Sequence, residues 1–209
     1  MGRNQLIRTN SNPYHIVSRS NNSDWFSIPL QEVWSLALLS LKETFKRTPF
    51  ELIGFVLMIN HYHMVIRTPD SNLDRIMYEF NKRFSLKLRQ ASQRQNRMFG
   101  GRYKWTLILE NSHYWNVLRY IYQNPIRAGV VTNCEDYPFS TFHYYHLEYS
   151  FPIPLSLSES DINELKMWFN ERPTEYHNQI IKNGLFRTTF RIKNHSPLRP
   201  YILQGPKYR

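Results

Sequence analysis

Two apolar, β-rich runs, Phe50 to Met58 and His61 to Arg67, stand so close together that they read as an antiparallel hairpin turning near Asn60. The flanking segments arrange themselves around that hairpin. Pro13 to Ser20 alternates its side chains and ends in the turn-forming run Ser20-Asn21-Asn22-Ser23, the pattern of a first strand. Between them, Val33, Ala37, Leu41 and Phe45 recur every four residues, which predicts an amphipathic helix over Leu30 to Arg47. A second helix is predicted from Leu73, Ile76, Phe80, Phe84 and Leu88, with Ser71 as its cap. After the break at Gly100-Gly101, Arg102 to Leu109 reads as a fourth strand, and a third helix begins near Asn111.

The order strand, helix, strand, strand, helix, strand, helix predicts an α+β fold of the split βαβ, ferredoxin-like kind. Its four-stranded antiparallel sheet would carry helices on one face and leave the other to a ligand. Residues 1–150 form the main domain on this reading, and 151–209 a C-terminal helical and basic tail. Ser160 is expected to cap a short helix ending before Pro173, and another is expected from Glu175 to Lys182. The stretch Tyr137 to Tyr149 is aromatic without a clear period. The end, Phe186 to Arg209, holds Pro197, Pro200 and Pro206 and reads as extended.

Charge narrows the partners. Lys and Arg number 27 against 16 Asp and Glu, a formal balance of +11 that favours a polyanion, and nucleic acid before others. The excess is clustered: Lys82, Arg83, Lys87, Arg89, Arg94, Arg97, Arg102 and Lys104 occupy a stretch with no acid, and seven more bases follow Glu175. A lone cysteine, Cys134, excludes an internal disulfide framework and fits a reducing cytoplasm. Met1 to Asn12 has no apolar signal core, and no run approaches the ~20 apolar residues of a membrane span, so no membrane association is expected.

Two constellations can carry chemistry. Strand alternation puts His61 and His63 on one side, about 7 Å apart, where two imidazoles can share a divalent cation. Chance alone yields about 0.3 such pairs in a chain with this many histidines, so the spacing by itself carries little. In the third helix, Tyr114, Leu118, Ile121 and Pro125 define the buried stripe with Tyr122 beside it, while Tyr120 and Asn124 share the more polar flank. By spacing alone Tyr120 is equally one more packing aromatic, and Asn124, preceding Pro125, is equally a turn residue.

Several blocks taken together resemble the REP-associated tyrosine transposases, a family of single-tyrosine HUH enzymes. They are Tyr14-His15-Ile16-Val17-Ser18-Arg19-Ser20-Asn21-Asn22, Met58-Ile59-Asn60-His61-Tyr62-His63-Met64-Val65-Ile66, Gly101-Arg102-Tyr103-Lys104, the run Leu118 to Val131, and Asp136-Tyr137-Pro138-Phe139-Ser140-Thr141. The resemblance implies that His61 and His63 ligate Mg²⁺ or Mn²⁺ with Asn124 as a third, weaker ligand. It implies that Tyr120 attacks DNA to form a 5′-phosphotyrosine, and that the substrate is single-stranded or hairpin DNA. Arg19, Arg83, Arg102, Lys104 and Arg127 become candidate DNA contacts. Two positions depart from the family: Ile59 stands where proline is frequent, and Tyr62 where an aliphatic residue is commoner. The alternative is a non-catalytic nucleic-acid-binding module of the same topology, for which the two histidines and Tyr120 would be incidental. Whether the site is built in one chain or between two is left open.

Overall fold

The computed structural model describes residues 5–146, 150–157 and 159–191. Strands β1 (Tyr14–Arg19), β2 (Glu51–Leu57), β3 (His61–Arg67) and β4 (Lys104–Leu107) form one antiparallel sheet in the order β2-β3-β1-β4. That is the ferredoxin-like arrangement, with each pair of sequence-adjacent strands outside the hairpin linked by a helix. Helices α1 (Leu30–Arg47) and α2 (Leu73–Ser92) pack together on one face. Their buried stripes (Val33, Trp34, Ala37 and Leu41 from α1; Ile76, Phe80, Phe84 and Leu88 from α2) meet Tyr14, Ile16, Tyr62, Met64 and Ile66 of the sheet. Ser71 is not the cap of α2. It adopts φ 53°, and Asn72 takes the capping position without a side-chain hydrogen bond.

The second face is only partly open. Helix α3 (Asn111–Tyr122) lays Val117, Leu118, Ile121 and Tyr122 against Ile53, Val56 and Val65 and makes a second core. A β-bulge allows this approach. Between Leu52 and Gly54 the register against β3 slips, so that Ile53 and Gly54 share one partner position. Gly54 lies where α3 comes closest: a Cβ there would stand 3.0 Å from the Tyr122 hydroxyl and 3.1 Å from both Ile121 and Leu118.

The chain beyond Tyr122 turns through α4 (Asn124–Arg127) and then closes both edges of the sheet. Along β2, Leu57 N donates to the Phe139 carbonyl at 2.9 Å, Phe55 N to Thr141 Oγ1 at 2.9 Å, and Ser156 N to the Leu52 carbonyl at 2.9 Å. Along β4, Leu107 N donates to the Thr188 carbonyl and Phe190 N to the Leu107 carbonyl, each at 2.8 Å. Unpaired edge groups that would otherwise invite another strand are thereby satisfied.

Helices α5 (Thr141–His146), α6 (Glu159–Asn170) and α7 (Glu175–Gly184) extend the second core through Phe142, Phe169 and Ile181. The aromatic stretch without a period therefore contains a helix, α5, whose apolar side chains are spent on contacts from both sides. From the segment expected as a tail, Leu157, Ile162, Leu165, Phe169, Ile181 and Phe190 share a core with α3. The prolines at 197, 200 and 206 lie outside the described residues.

Gly54→Val is expected to lower stability by about 1–3 kcal/mol, because the new methyls meet α3 at a packed crossing. Urea unfolding followed by circular dichroism measures it. An unchanged midpoint would show that α3 does not press on the bulge.

Candidate active site

Strand alternation divides β3 between two tasks. Tyr62, Met64 and Ile66 enter the first core, while His61 and His63 project from the opposite face, their ring centroids 5.1 Å apart and nearly perpendicular. The sheet register adds to them: Arg19 of β1 is opposite His61, Val17 is opposite His63, and Lys104 of β4 is opposite Val17. Behind the site, Tyr62 is fully buried among Phe55, Phe80, Phe84 and Phe99, and its hydroxyl donates to Asn81 Oδ1 at 2.7 Å. The departure at this position is thus accommodated in the packing without entering the site.

Each histidine is held through Nδ1. Asn60 Nδ2 donates to the Ser23 carbonyl at 2.8 Å, which turns Oδ1 toward His61 Nδ1 at 2.7 Å. An amide oxygen only accepts, so His61 carries its proton on Nδ1 and keeps an unprotonated Nε2. His63 Nδ1 meets His15 Nε2 at 2.9 Å, with the two rings stacked. His15 stands within one of the sequence blocks, where no local pattern gives it a role. Only the pairing of β1 with β3 reveals it, because it reaches His63 diagonally across two strands.

All three imidazoles are neutral at pH 7. Burial brings His15 down to about 3. Burial, followed by the nearby Arg19 charge, brings His61 to about 4. His63 is depressed further, first by burial and then by His15, His61 and the cations Arg127 and Arg19.

Burying Leu118, Ile121 and Tyr122 on the sheet turns Tyr120 toward the histidines. Its ring centroid lies 6.3 Å from that of His63, in the same chain. Arg127 stands over the Tyr120 ring, 4.1 Å from its centroid, and Nη2 donates to the Tyr120 carbonyl at 2.7 Å. Burial holds the Tyr120 phenol above its ordinary range against the opposing pull of Arg127 and Arg19, so the free site presents a protonated hydroxyl.

Helix α3 ends before Asn124, but Gln123 at the junction keeps near-helical angles (φ −82°, ψ 0°), which leaves Asn124 about one turn beyond Tyr120. Gln123 Nε2 fastens this joint to the carbonyls of Phe169 and Glu171, both at 2.6 Å. Asn124 Nδ2 and Arg127 Nη1 are both buried without a hydrogen-bond partner. Both are N–H donors, so an acceptor such as a phosphate oxygen would satisfy them.

These residues line a groove of about 1050 Å³. Arg19, Arg102, Lys104 and Arg127 of the candidate DNA contacts line it, and Lys182 of α7 adds a fifth cation to set against Glu175. Arg83 does not join them. It is ion-paired with Glu79 on its own helix and with Glu43 of α1, because its helical position faces α1 rather than the sheet's far side. Helix α7 also supplies Asn178 and Gln179 to the groove wall, a contribution that the helix pattern alone could not reveal since it depends on how α7 docks.

No cluster of three or more His, Cys, Asp or Glu side chains is arranged for a metal among the described residues. The donor set is two imidazoles and one amide. No described helix is long and apolar enough to cross a membrane.

A Haemophilus influenzae protein provisionally assigned as a REP-associated tyrosine transposase is 28% identical over 113 residues, 49% of this chain and 64% of that one. An Escherichia coli K12 REP-associated tyrosine transposase is 29% identical over 101 residues, 46% of this chain and 56% of its own length. The chain thus spans less than two thirds of either relative. A solved structure of a REP-associated tyrosine transposase bound to a REP hairpin shares the fold, with a TM-score of 0.61 at 22% identity over 74% of this chain and 92% of that one. The model of the IS200-like transposase family matches residues 9–124, a span that takes in His15, His61, His63 and Tyr120 and ends on Asn124. With more than half of its length matched, and with the two histidines, Tyr120 and Asn124 inside the match, this chain belongs to the IS200-like transposase family.

Proposed function

We propose that the protein is a DNA transposase and nickase that cuts and rejoins single-stranded DNA, at hairpin-forming sites, through Tyr120. The observation that carries the reading is the meeting of the Tyr120 ring and the His61/His63 pair in one cationic groove, within one chain and beside the unpartnered Asn124 Nδ2. The relatives' names and the hairpin held by the structural neighbour support DNA as substrate. A binding module has no need of a phenol beside paired imidazoles, and no helix exchange between subunits is needed to complete the site.

In the step proposed, the Tyr120 oxygen attacks phosphorus and a Tyr–O–P bond forms as the P–O3′ bond breaks. The 3′ oxygen leaves with a proton, and the 5′ side stays as a phosphotyrosine. The reverse attack by a 3′-hydroxyl rejoins DNA, and because one phosphoester replaces another, no nucleotide cofactor is consumed. Arg127 holds the Tyr120 ring by its cation–π contact and presents its unpartnered Nη1 to the phosphate. Arg19, Arg102 and Lys104 line the path of the strand.

The donor set fits a divalent cation. His61 offers Nε2, His63 offers Nε2 when its Nδ1–H donates to His15 Nε2, and Asn124 would offer its amide oxygen. Two imidazoles suit Mn²⁺ better than Mg²⁺, and both would take their remaining ligands from phosphate and water. Such an ion would neutralise phosphate charge and favour ionisation of the phenol. We assign the cytoplasm as its compartment, a reducing environment that suits a free, buried Cys134.

Incubation with hairpin-bearing single-stranded oligonucleotides and Mn²⁺ is expected to yield a protein-linked fragment on denaturing gels, lost in Tyr120→Phe and on chelation. Equal cleavage by Tyr120→Phe would remove Tyr120 as nucleophile. Single-turnover cleavage is expected to climb from about pH 6 to about pH 9, because the raised phenol gains nucleophilic phenolate with each unit of pH. Arg127→Leu, which deletes a cation that lowers that pKa, is expected to be slower across the range, and a flat profile would point to a different limiting step. His15→Phe is expected to weaken Mn²⁺ binding about 10–100-fold by calorimetry, with His15→Gln recovering part of it through an amide acceptor for His63 Nδ1. Unchanged affinity would mean His15 only packs.

A further inference from the structure

The basic cluster around α2 is not uniform. Three of its members are consumed in ion pairs: Arg83 with Glu79 and Glu43, Lys87 with Glu43, and Arg94 with Asp24. Lys82, Arg89, Arg97, Arg102 and Lys104 are exposed and make no ion pair within 4 Å among the described residues. Lys104 lines the catalytic groove. The other four line a second, open trough of about 640 Å³.

One wall of this trough is a stripe of α2 at helical spacing: Tyr78, Lys82, Ser85 and Arg89, a run of about 16 Å along the axis. The other wall is the segment from Arg97 to Tyr103. The carboxylate in the lining, Asp74, is already taken by Arg8 at 2.6 Å. Tyr78 is 60% exposed, and the Lys82 ammonium lies 5.5 Å from its ring centroid. A large exposed aromatic bordered by cations is the composition of a surface that stacks unpaired bases and tracks their phosphates. Gly101 and Arg102 line both the trough and the catalytic groove, so the two join at that point.

We propose that the trough holds the single-stranded flank of the DNA being cut: the strand leaves the Tyr120 groove over Gly101-Arg102 and continues along α2, its phosphates on Arg102, Arg97, Arg89 and Lys82 and a base on Tyr78. This rests on the DNA-cleaving reading of the first groove and adds to it a path for the substrate beyond the reacting phosphate. Duplex DNA would use the cations but leave Tyr78 idle.

The test uses the full chain carrying Tyr120→Phe, so that binding is measured without cleavage. Fluorescence anisotropy compares oligothymidylates of about 10 and about 30 nucleotides, and a duplex of about 30 base pairs, with and without the pair Arg89→Gln and Arg97→Gln. The pair is expected to weaken binding of the long single strand about tenfold and to flatten its log–log salt slope by about 1.4. Binding of the short strand, which the catalytic groove accommodates, is expected to change less than twofold. Tyr78→Ala is expected to weaken the long strand about fivefold or more without altering the salt slope. Equal binding of the long strand by parent and variant would overturn the proposal. So would an equal loss for the short strand, or a loss confined to the duplex. Circular dichroism melting of the variants, whose changed residues are exposed, separates lost contacts from lost folding. A negative result here leaves the phosphotyrosine reading intact, and a protein that binds as expected but forms no covalent adduct leaves the trough standing.

Discussion

The arrangement depends on the contact between α3 and the bulged strand β2. Helix α3 can lie against the sheet only because Gly54 brings no side chain to the crossing, and once Leu118, Ile121 and Tyr122 are seated there the helix has no rotational freedom left. Tyr120, which lies between Leu118 and Ile121 in the chain, is then obliged to face the histidines. Thr141 ties the same crossing from behind: its hydroxyl meets Tyr122 Oη at 2.9 Å and accepts from Phe55 N. Placement of the candidate nucleophile is therefore a result of core packing, with a precision that a loop would not provide.

Burial also shapes the electrostatics. The His15–His63 and Asn60–His61 contacts direct which ring nitrogens remain available, and burial with nearby arginines keeps the imidazoles neutral. The same desolvation keeps the Tyr120 phenol protonated. A site made of neutral donors, a protonated phenol and flanking guanidinium groups attracts a phosphate before any ionised nucleophile is present.

The fold was legible in the chain because its helices and strands are amphipathic in the plainest sense. The predicted bounds of the first helix and of the second hairpin strand, Leu30 to Arg47 and His61 to Arg67, coincide with α1 and β3. Where period fails, so did the reading. Helix α5 is short and buried from two directions, so its apolar residues show no single stripe. Ser71 had the composition of a cap but lies outside the helix in a left-handed conformation. Arg83 belongs to a basic cluster, yet charge composition does not say which neighbours neutralise it, and Glu43 is forty residues away in sequence.

By itself the sequence determined the element order, the two faces of β3, the polar flank of α3 and the net positive charge, since each follows from local period or simple composition. Family membership was legible from the order of its blocks as well. Tertiary structure alone decided that His15 supports His63, that Tyr120 reaches the histidines within one chain, that C-terminal helices share the core and α7 walls the groove, and that the unpaired members of the basic cluster around α2 line two connected channels. Those outcomes depend on strand register, on a bulge and on long-range docking. All of these bring distant residues within a few ångströms, and nothing in a local pattern encodes such distances.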